Sequence, residues 1–331
     1  MADPVFDTSS PVLVTGASGY VAGWLVARLL DEGFTVHATV RDPNDAAKTA
    51  HLSALAEGRP GEIRFFAANL LEPGSFAEAM QGCAVVFHTA SPFISTFSDP
   101  QKDLVDPAVN GTRTVLESAS ATPSVKRVVV TSSCAAMFGS LDDVANSPGG
   151  MLGESSWNET SSLTDGPYRY SKTLAEKAAW EMAEDAAWKL VTVNPALIVG
   201  PGLSPKPTSA SFDYVRKIGD GSFEDGTKPF EVGMVDVRDV AETHLRAGFV
   251  PDAKGRYICF SEVSSLDGLA DILREVHGEA YPFPPKKPPM GEPRWKADNG
   301  KAKNELGIAF RPIAPGTLEM FEQLKAAGVF G

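Results

Sequence analysis

Thr15-Gly16-Ala17-Ser18-Gly19-Tyr20-Val21-Ala22 follows the apolar run Pro11-Val12-Leu13-Val14 and precedes Trp24-Leu25-Val26-Ala27-Arg28-Leu29-Leu30. A strand, a glycine turn and a helix in that order form the arrangement that holds a dinucleotide pyrophosphate. Gly16 can take the backbone angles of a tight turn, and Gly19 has no Cβ to block the phosphates. Ala22 stands where a third glycine is usual and is still small enough for helix-on-strand packing. The helix N-terminus then offers free N–H groups and a positive dipole end to the anion. The stretch reads as a site for a nicotinamide or flavin dinucleotide.

Working outward, apolar runs rich in β-branched residues recur between helical stretches. Strands are predicted at Pro11–Thr15, Thr35–Val40, Ile63–Ala67, Val85–His88, Arg127–Thr131 and Leu190–Asn194. Near-continuous apolar character suits strands covered on both faces, and alternation with helices implies right-handed crossovers. The fold class is therefore α/β, a doubly wound parallel sheet of Rossmann type. After Pro195 the chain becomes rich in Gly, Pro and Ser, and Tyr281-Pro282-Phe283-Pro284-Pro285 continues through further prolines. Proline removes donors and stops helices, so a smaller, irregular C-terminal substrate lobe is expected, with short helices such as Leu266–His277. Residues 9–198 are assigned to the dinucleotide-binding domain, with 230–262 returning to it. Residues 199–229 and 263–331 are assigned to the substrate-binding lobe.

The chain has 331 residues, 43% of them apolar, enough for one large α/β unit with a smaller partner. Its formal net charge of −12 argues against a nucleic acid or an anionic membrane as partner. Residues 1–10 contain Asp3 and Asp7, unlike a signal peptide, and no apolar run reaches the ~20 residues of a membrane span. A cytoplasmic protein is expected, monomer or homodimer. Cys83, Cys134 and Cys259 are too scattered for a disulfide framework, and neither they nor the five histidines have metal-ligand spacing, so no metal is expected.

The second predicted strand ends Thr39-Val40-Arg41-Asp42. A guanidinium just beyond that strand can pair with a 2′-phosphate, and Lys48 is a second candidate contact. Arg41 could instead be a solvated charge, and Asp42 could serve a ribose hydroxyl. NADPH/NADP+ is the cofactor this pattern favours.

Tyr168-Arg169-Tyr170-Ser171-Lys172 opens a helix that runs through Trp180. Four residues apart, Tyr168 and Lys172 share a helix face, where an ammonium favours the phenolate and suits Tyr168 to exchange a proton with a carbonyl oxygen. Lys172 can also bond the nicotinamide ribose. A hydroxyl at the end of the fifth strand, in Thr131-Ser132-Ser133, can hold the substrate carbonyl; Ser133 is chosen over Ser132.

Taken together, the chain resembles the extended short-chain dehydrogenase/reductases, within them the dihydroflavonol reductase and cinnamoyl-CoA reductase-like branch. Thr15–Val21, the segment from Ala38 to Pro43, Val86-Phe87-His88-Thr89-Ala90-Ser91-Pro92, the Ser171–Trp180 helix, the segment from Asn194 to Pro201 and Gly255-Arg256-Tyr257-Ile258-Cys259 carry the likeness. The resemblance implies a catalytic triad of Ser133, Tyr168 and Lys172. It implies pyrophosphate contacts from Gly16, Ser18, Gly19, Tyr20 and Val21, and 2′-phosphate contacts from Arg41 and Lys48. Asn69 and Leu70 would border the adenine, Thr89, Ala90 and Ser91 the middle of the cofactor, and Pro195 to Ile198 the nicotinamide.

The branch-specific signatures are altered. Gly166-Pro167-Tyr168-Arg169-Tyr170-Ser171-Lys172 departs from the thioester reductases' Asn-Trp-Tyr-Cys-Tyr-Gly-Lys. Phe138 stands where dihydroflavonol reductases commonly carry Asn or Asp, and an aromatic face cannot replace amide hydrogen bonds. The reading is an NADPH-dependent carbonyl reductase for a small-molecule aldehyde or ketone, reversible as an alcohol dehydrogenase, with Phe93, Phe138 and Tyr214 as candidate pocket walls. Alternatives are a dihydroflavonol or cinnamoyl-CoA type reductase, a nucleotide-sugar epimerase/dehydratase, and a non-catalytic NADPH-sensing regulator. Asp236, Arg238 and Asp239 are expected to form a structural node, and His244 to be packed rather than catalytic.

Overall fold

The computed structural model describes residues 6–91, 97–204, 209–227, 231–288 and 291–330. Ten strands appear: β1 Val12–Val14, β2 Thr35–Val40, β3 Glu62–Ala67, β4 Val85–His88, β5 Arg127–Thr131, β6 Lys189–Pro195, β7 Leu197–Val199, β8 Glu231–Asp236, β9 Gly255–Cys259 and β10 Glu262–Ser265. The helices are α1 Tyr20–Asp31, α2 Ala46–Ala56, α3 Ala77–Met80, α4 Asp106–Ser120, α5 Leu141–Asn146, α6 Pro167–Ala183, α7 Ala210–Gly219, α8 Val237–Phe249, α9 Leu266–His277, α10 Gly300–Leu306 and α11 Ile313–Ala326.

Seven strands form one sheet in the order β3-β2-β1-β4-β5-β6-β9. Every neighbouring pair in it is parallel. The six predicted strands match β1–β6 to within one residue at each end. Both faces are covered, which is why these strands read as unbroken apolar runs. Leu25, Val26 and Leu29 of α1 and Val240 and Leu245 of α8 pack with Val12, Val14 and Val129 on one face. On the other, Val115 and Leu116 of α4 and Ala179 of α6 pack with Leu13, Val86 and Val128. The chain reverses direction across the sheet between β1 and β4, and ligands of open α/β sheets bind at such a switch point, beyond the carboxyl ends of the strands.

The smaller lobe is more regular than its Gly, Pro and Ser content predicts. β7, β8 and β10 form a second sheet, with β7–β8 parallel and β8–β10 antiparallel. Gly233 helps conceal β8 in the sequence, yet the sheet needs it there: a Cβ at this position would lie 2.4 Å from the buried Trp295 ring. Segment 230–262 divides, since β8 joins the small sheet and β9 the large one. The lobe has its own core, including Phe138, Val215, Phe260, Leu269, Trp295 and Phe321.

Two linkages join the lobes. Arg238 grips the buried Asp236 carboxylate at 2.8 and 2.7 Å and reaches Glu319 of α11 at 2.9 Å. Asp239 accepts from the Arg311 amide at 2.6 Å and from its guanidinium. This is the structural node expected from the Asp-Val-Arg-Asp segment.

Candidate active site

The turn after β1 is stitched to its neighbours by its own backbone. Gly16 N donates to Thr39 Oγ1 at 3.2 Å, and Ala17 N donates to Thr39 O at 3.0 Å. Thr15 Oγ1 accepts from the amides of Thr89 at 3.1 Å and Ala90 at 3.0 Å, which ties the ends of β1 and β4 across the switch point. Gly16 has φ +61°, and a Cβ there would fall 2.9 Å from the Ala90 Cβ. Gly19 is the N-cap of α1 and gives no side-chain cap. The first-turn amides, from Tyr20 onward, therefore have no intrahelical partner and face outward from the turn. A bare helix N-terminus behind a glycine cradle fits a pyrophosphate. Tyr20 contributes only its backbone here, because its phenol donates to Gly200 O at 2.6 Å.

At the end of β2, Arg41 and Lys48 are exposed. One oxygen of Asp42 is already engaged, accepting from Asn44 N at 2.8 Å. Asn69 is held by local bonds, its Nδ2 donating to Glu72 at 2.7 Å and its Oδ1 accepting from Leu71 N at 3.1 Å. Leu70 lines a small cavity with His88, Ser91, Thr131, Lys172 and Glu176.

Lys172 points into this cleft and donates to Ser91 Oγ at 3.1 Å. Its ammonium lies 5.9 Å from the centre of the Tyr168 ring, and Tyr168 is 53% exposed. Helix α6, opened by Pro167 at its first position, thus presents both residues on one face. The two serines after β5 separate cleanly. Ser132 is buried and its hydroxyl donates to Glu176 at 2.5 Å. Ser133 is half-buried, N-caps a short turn of helix by accepting from Ala135 N at 3.0 Å, and keeps its own proton for another acceptor.

Sequence reasoning missed Glu176, which is 1% exposed. Its carboxylate accepts from Ser132, from Asn194 Nδ2 at 2.8 Å and from Arg256 Nε at 2.6 Å. Asn194 also donates to the Ser133 carbonyl at 3.2 Å. One carboxylate thereby ties α6 to the ends of β5 and β6 and to β9. The available signal was an acid four residues past Lys172 on a helix face otherwise built of Ala and Thr.

Pro195 closes β6 at the carboxyl edge of the large sheet, whereas Ile198 lies within β7 of the small sheet, paired with Val235. Phe138 is 2% exposed, with the Arg169 guanidinium 4.2 Å over its ring and Trp295 at its edge. One side of the Phe138 ring is thus covered by a cation. Tyr214 lies half-buried in α7. Phe93 lies outside the described residues.

His244 is packed, its Nδ1 on Val240 O at 2.8 Å and its Nε2 on Thr131 Oγ1 at 2.7 Å, and burial lowers its pKa to about 4. The three cysteines are free and buried. Burial pushes the Cys83 and Cys259 thiols up to about 12, which keeps them protonated. Among the described residues no group of three or more His, Cys, Asp or Glu could hold a metal, and no helix is long and apolar enough to cross a membrane.

Residues 12–257 match the model of the NAD dependent epimerase/dehydratase family. A cinnamoyl-CoA reductase of Medicago truncatula is 40% identical over 323 residues, covering 95% of each chain. Tetraketide alpha-pyrone reductase 1 of Arabidopsis thaliana is 40% identical over 322 residues, covering 96% of this chain and 94% of the relative. The crystal structure of yeast methylglyoxal/isovaleraldehyde reductase Gre2 complexed with NADPH superposes with a TM-score of 0.84 at 30% identity, covering 97% of this chain and all of that one.

Proposed function

The chain belongs to the NAD dependent epimerase/dehydratase family, among the extended short-chain dehydrogenase/reductases, and from that premise we propose that it is an NADPH-dependent reductase of a small aldehyde or ketone. The observation that carries this reading is the Lys172–Ser91 hydrogen bond, which joins the α6 face bearing Tyr168 and Lys172 to the segment after β4, itself bonded through the Thr89 and Ala90 amides to Thr15 at the start of the glycine turn. The larger sheet is the cofactor half of the molecule and the smaller lobe the substrate half.

The residues fit the cofactor. Gly16, Ser18, Gly19 and the first-turn amides of Tyr20 and Val21 would hold the pyrophosphate, and Arg41 with Lys48 the 2′-phosphate. Asn69 and Leu70 would border the adenine, with Thr89, Ala90 and Ser91 along the middle and Pro195 and Ile198 at the nicotinamide. When bound, the reduced nicotinamide supplies a hydride to the carbonyl carbon. Ser133 holds the carbonyl oxygen with its free hydroxyl proton, and Tyr168 delivers a proton to that same oxygen. Lys172, its ammonium 5.9 Å from the Tyr168 ring centre, would bond the nicotinamide ribose. Buried Glu176 holds α6 so that these three groups converge.

The test is NADPH oxidation against simple aldehydes, ketones, a dihydroflavonol and a cinnamoyl thioester, with NADH in parallel and Tyr168→Phe as the control. Turnover of simple carbonyls, NADPH preferred, with kcat in Tyr168→Phe down by about 10²–10⁴-fold is the expected result. Undiminished turnover in Tyr168→Phe would refute the proton-donor role. Turnover confined to the thioester or the dihydroflavonol would give the protein the specialised activity of a plant reductase instead.

A further inference from the structure

Arg169 follows Tyr168 in the first turn of α6 and is half-buried. Its guanidinium carbon lies 4.2 Å from the centre of the Phe138 ring, and Nη1 donates to Phe138 O at 3.2 Å. That bond occupies one of five donors. Among the described residues no carboxylate pairs with it. Other buried or half-buried arginines do better: Arg28, Arg238, Arg256 and Arg274 among them each hold a carboxylate, and Arg127 reaches four backbone carbonyls. Asp143 acts on Arg169 electrostatically, but its Oδ2 is committed to Gly139 N, Ser140 N and Thr160 Oγ1. The phenols of Tyr168 and Tyr214 are within the same electrostatic reach.

A cation withdrawn from water without a counter-charge is costly. Contact with the Phe138 ring and the bond to Phe138 O hold the group in place and leave its other N–H groups for an anion such as a carboxylate. The cofactor's 2′-phosphate is not that anion. Its candidate partner Arg41 follows β2, whereas Phe138 follows β5, three strand spacings or about 14 Å across the sheet.

We propose that Arg169 is a specificity-determining residue, and that the carbonyl compound reduced here carries a carboxylate which the Arg169 fork binds beside Tyr168. This rests on the reductase reading above and names its substrate class.

The experiment compares 4-carboxybenzaldehyde with its uncharged partner, methyl 4-formylbenzoate, in the unaltered protein, Arg169→Met and Arg169→Lys. Calorimetric titration with benzoate in the presence of NADP+ runs alongside. The acid should be preferred, with the acid-to-ester ratio of kcat/KM falling about tenfold or more in Arg169→Met, as expected for a charge-assisted bond. Arg169→Lys should keep part of the preference, and it serves alone if the Met variant unfolds. Benzoate should bind the unaltered protein and not Arg169→Met. Both aldehydes reduced with the same ratio in all three proteins, and benzoate binding unmoved, would overturn the inference while leaving the reductase reading intact. Benzoate bound through Arg169 with neither aldehyde reduced would uphold the anion site and remove the reductase reading instead.

Discussion

Glu176 and Arg256 stand 80 residues apart in the chain and form an ion pair at 2.6 Å, with side-chain exposures of 0% and 6%. The pair is more than a contact between α6 and β9. The carboxylate also accepts from Ser132, Thr192 and Asn194, and the guanidinium donates to the carbonyls of Glu154 and Ser156 and stacks 4.1 Å over Trp157. Low dielectric makes such a network worth much when complete and costly when broken.

Removing one partner strands a buried charge. Glu176→Gln keeps the shape of the side chain but leaves Arg256 unpaired, and should lower the unfolding free energy by about 3 kcal/mol or more. Urea denaturation monitored by fluorescence measures this, and a loss under about 1 kcal/mol would show that the pair is dispensable. The same variant should lower kcat more than it changes the KM for NADPH, because α6 carries Tyr168 while the glycine turn is held separately by Thr39 and Thr15.

What could be read in the sequence, and what could not, follows from range. β1–β6 are legible because a strand covered on both faces is written locally, residue after residue, as in Val128-Val129-Val130. Tyr168 and Lys172 are legible because four residues on a helix is a local distance. Arg256 is invisible as the partner of Glu176, since nothing in the intervening 79 residues encodes their meeting. β7 is three residues long and β8 is interrupted by Gly233, so neither carries enough periodicity to separate it from a loop. Phe138 reads as apolar, and only the folded chain shows Arg169 lying across it.

Gly16 and Ala90 make a second testable contact. The turn needs φ +61° at residue 16 and leaves no room for a Cβ, which would sit 2.9 Å from the Ala90 Cβ and 3.2 Å from its Cα. Gly16→Ala should therefore lose about 1–3 kcal/mol of stability from the left-handed backbone and the clash together. Adding Ala90→Gly removes the nearest atom but not the backbone strain, so the double variant should recover part of the loss. A double-mutant cycle on unfolding free energies reads this coupling directly, and strict additivity would mean that the two residues do not press on each other.

Acid should destabilise the protein through two histidines well before its carboxylates protonate. Thr15 Oγ1 accepts from the Thr89 and Ala90 amides, so its single proton goes to His88 Nδ1 at 3.0 Å. That requires a neutral ring, and burial together with the Lys172 ammonium lowers the pKa of His88 to about 3. His244, lowered to about 4 by burial, is neutral in the same way. Unfolded, both return towards the ordinary value of 6.5, so between pH 6.5 and those lowered values the unfolded chain binds more protons than the folded one. Stability is then complete above pH 6.5 and falls as pH drops, by about 1.4 kcal/mol per histidine per pH unit, or about 4 kcal/mol for the pair at pH 5. His88→Asn offers Oδ1 as the acceptor for Thr15 without a titrating ring, and should remove about half of that slope. Unfolding midpoints measured from pH 7 to pH 5 decide the matter, and an equal slope in the variant would show that His88 takes up its proton without unfolding the turn.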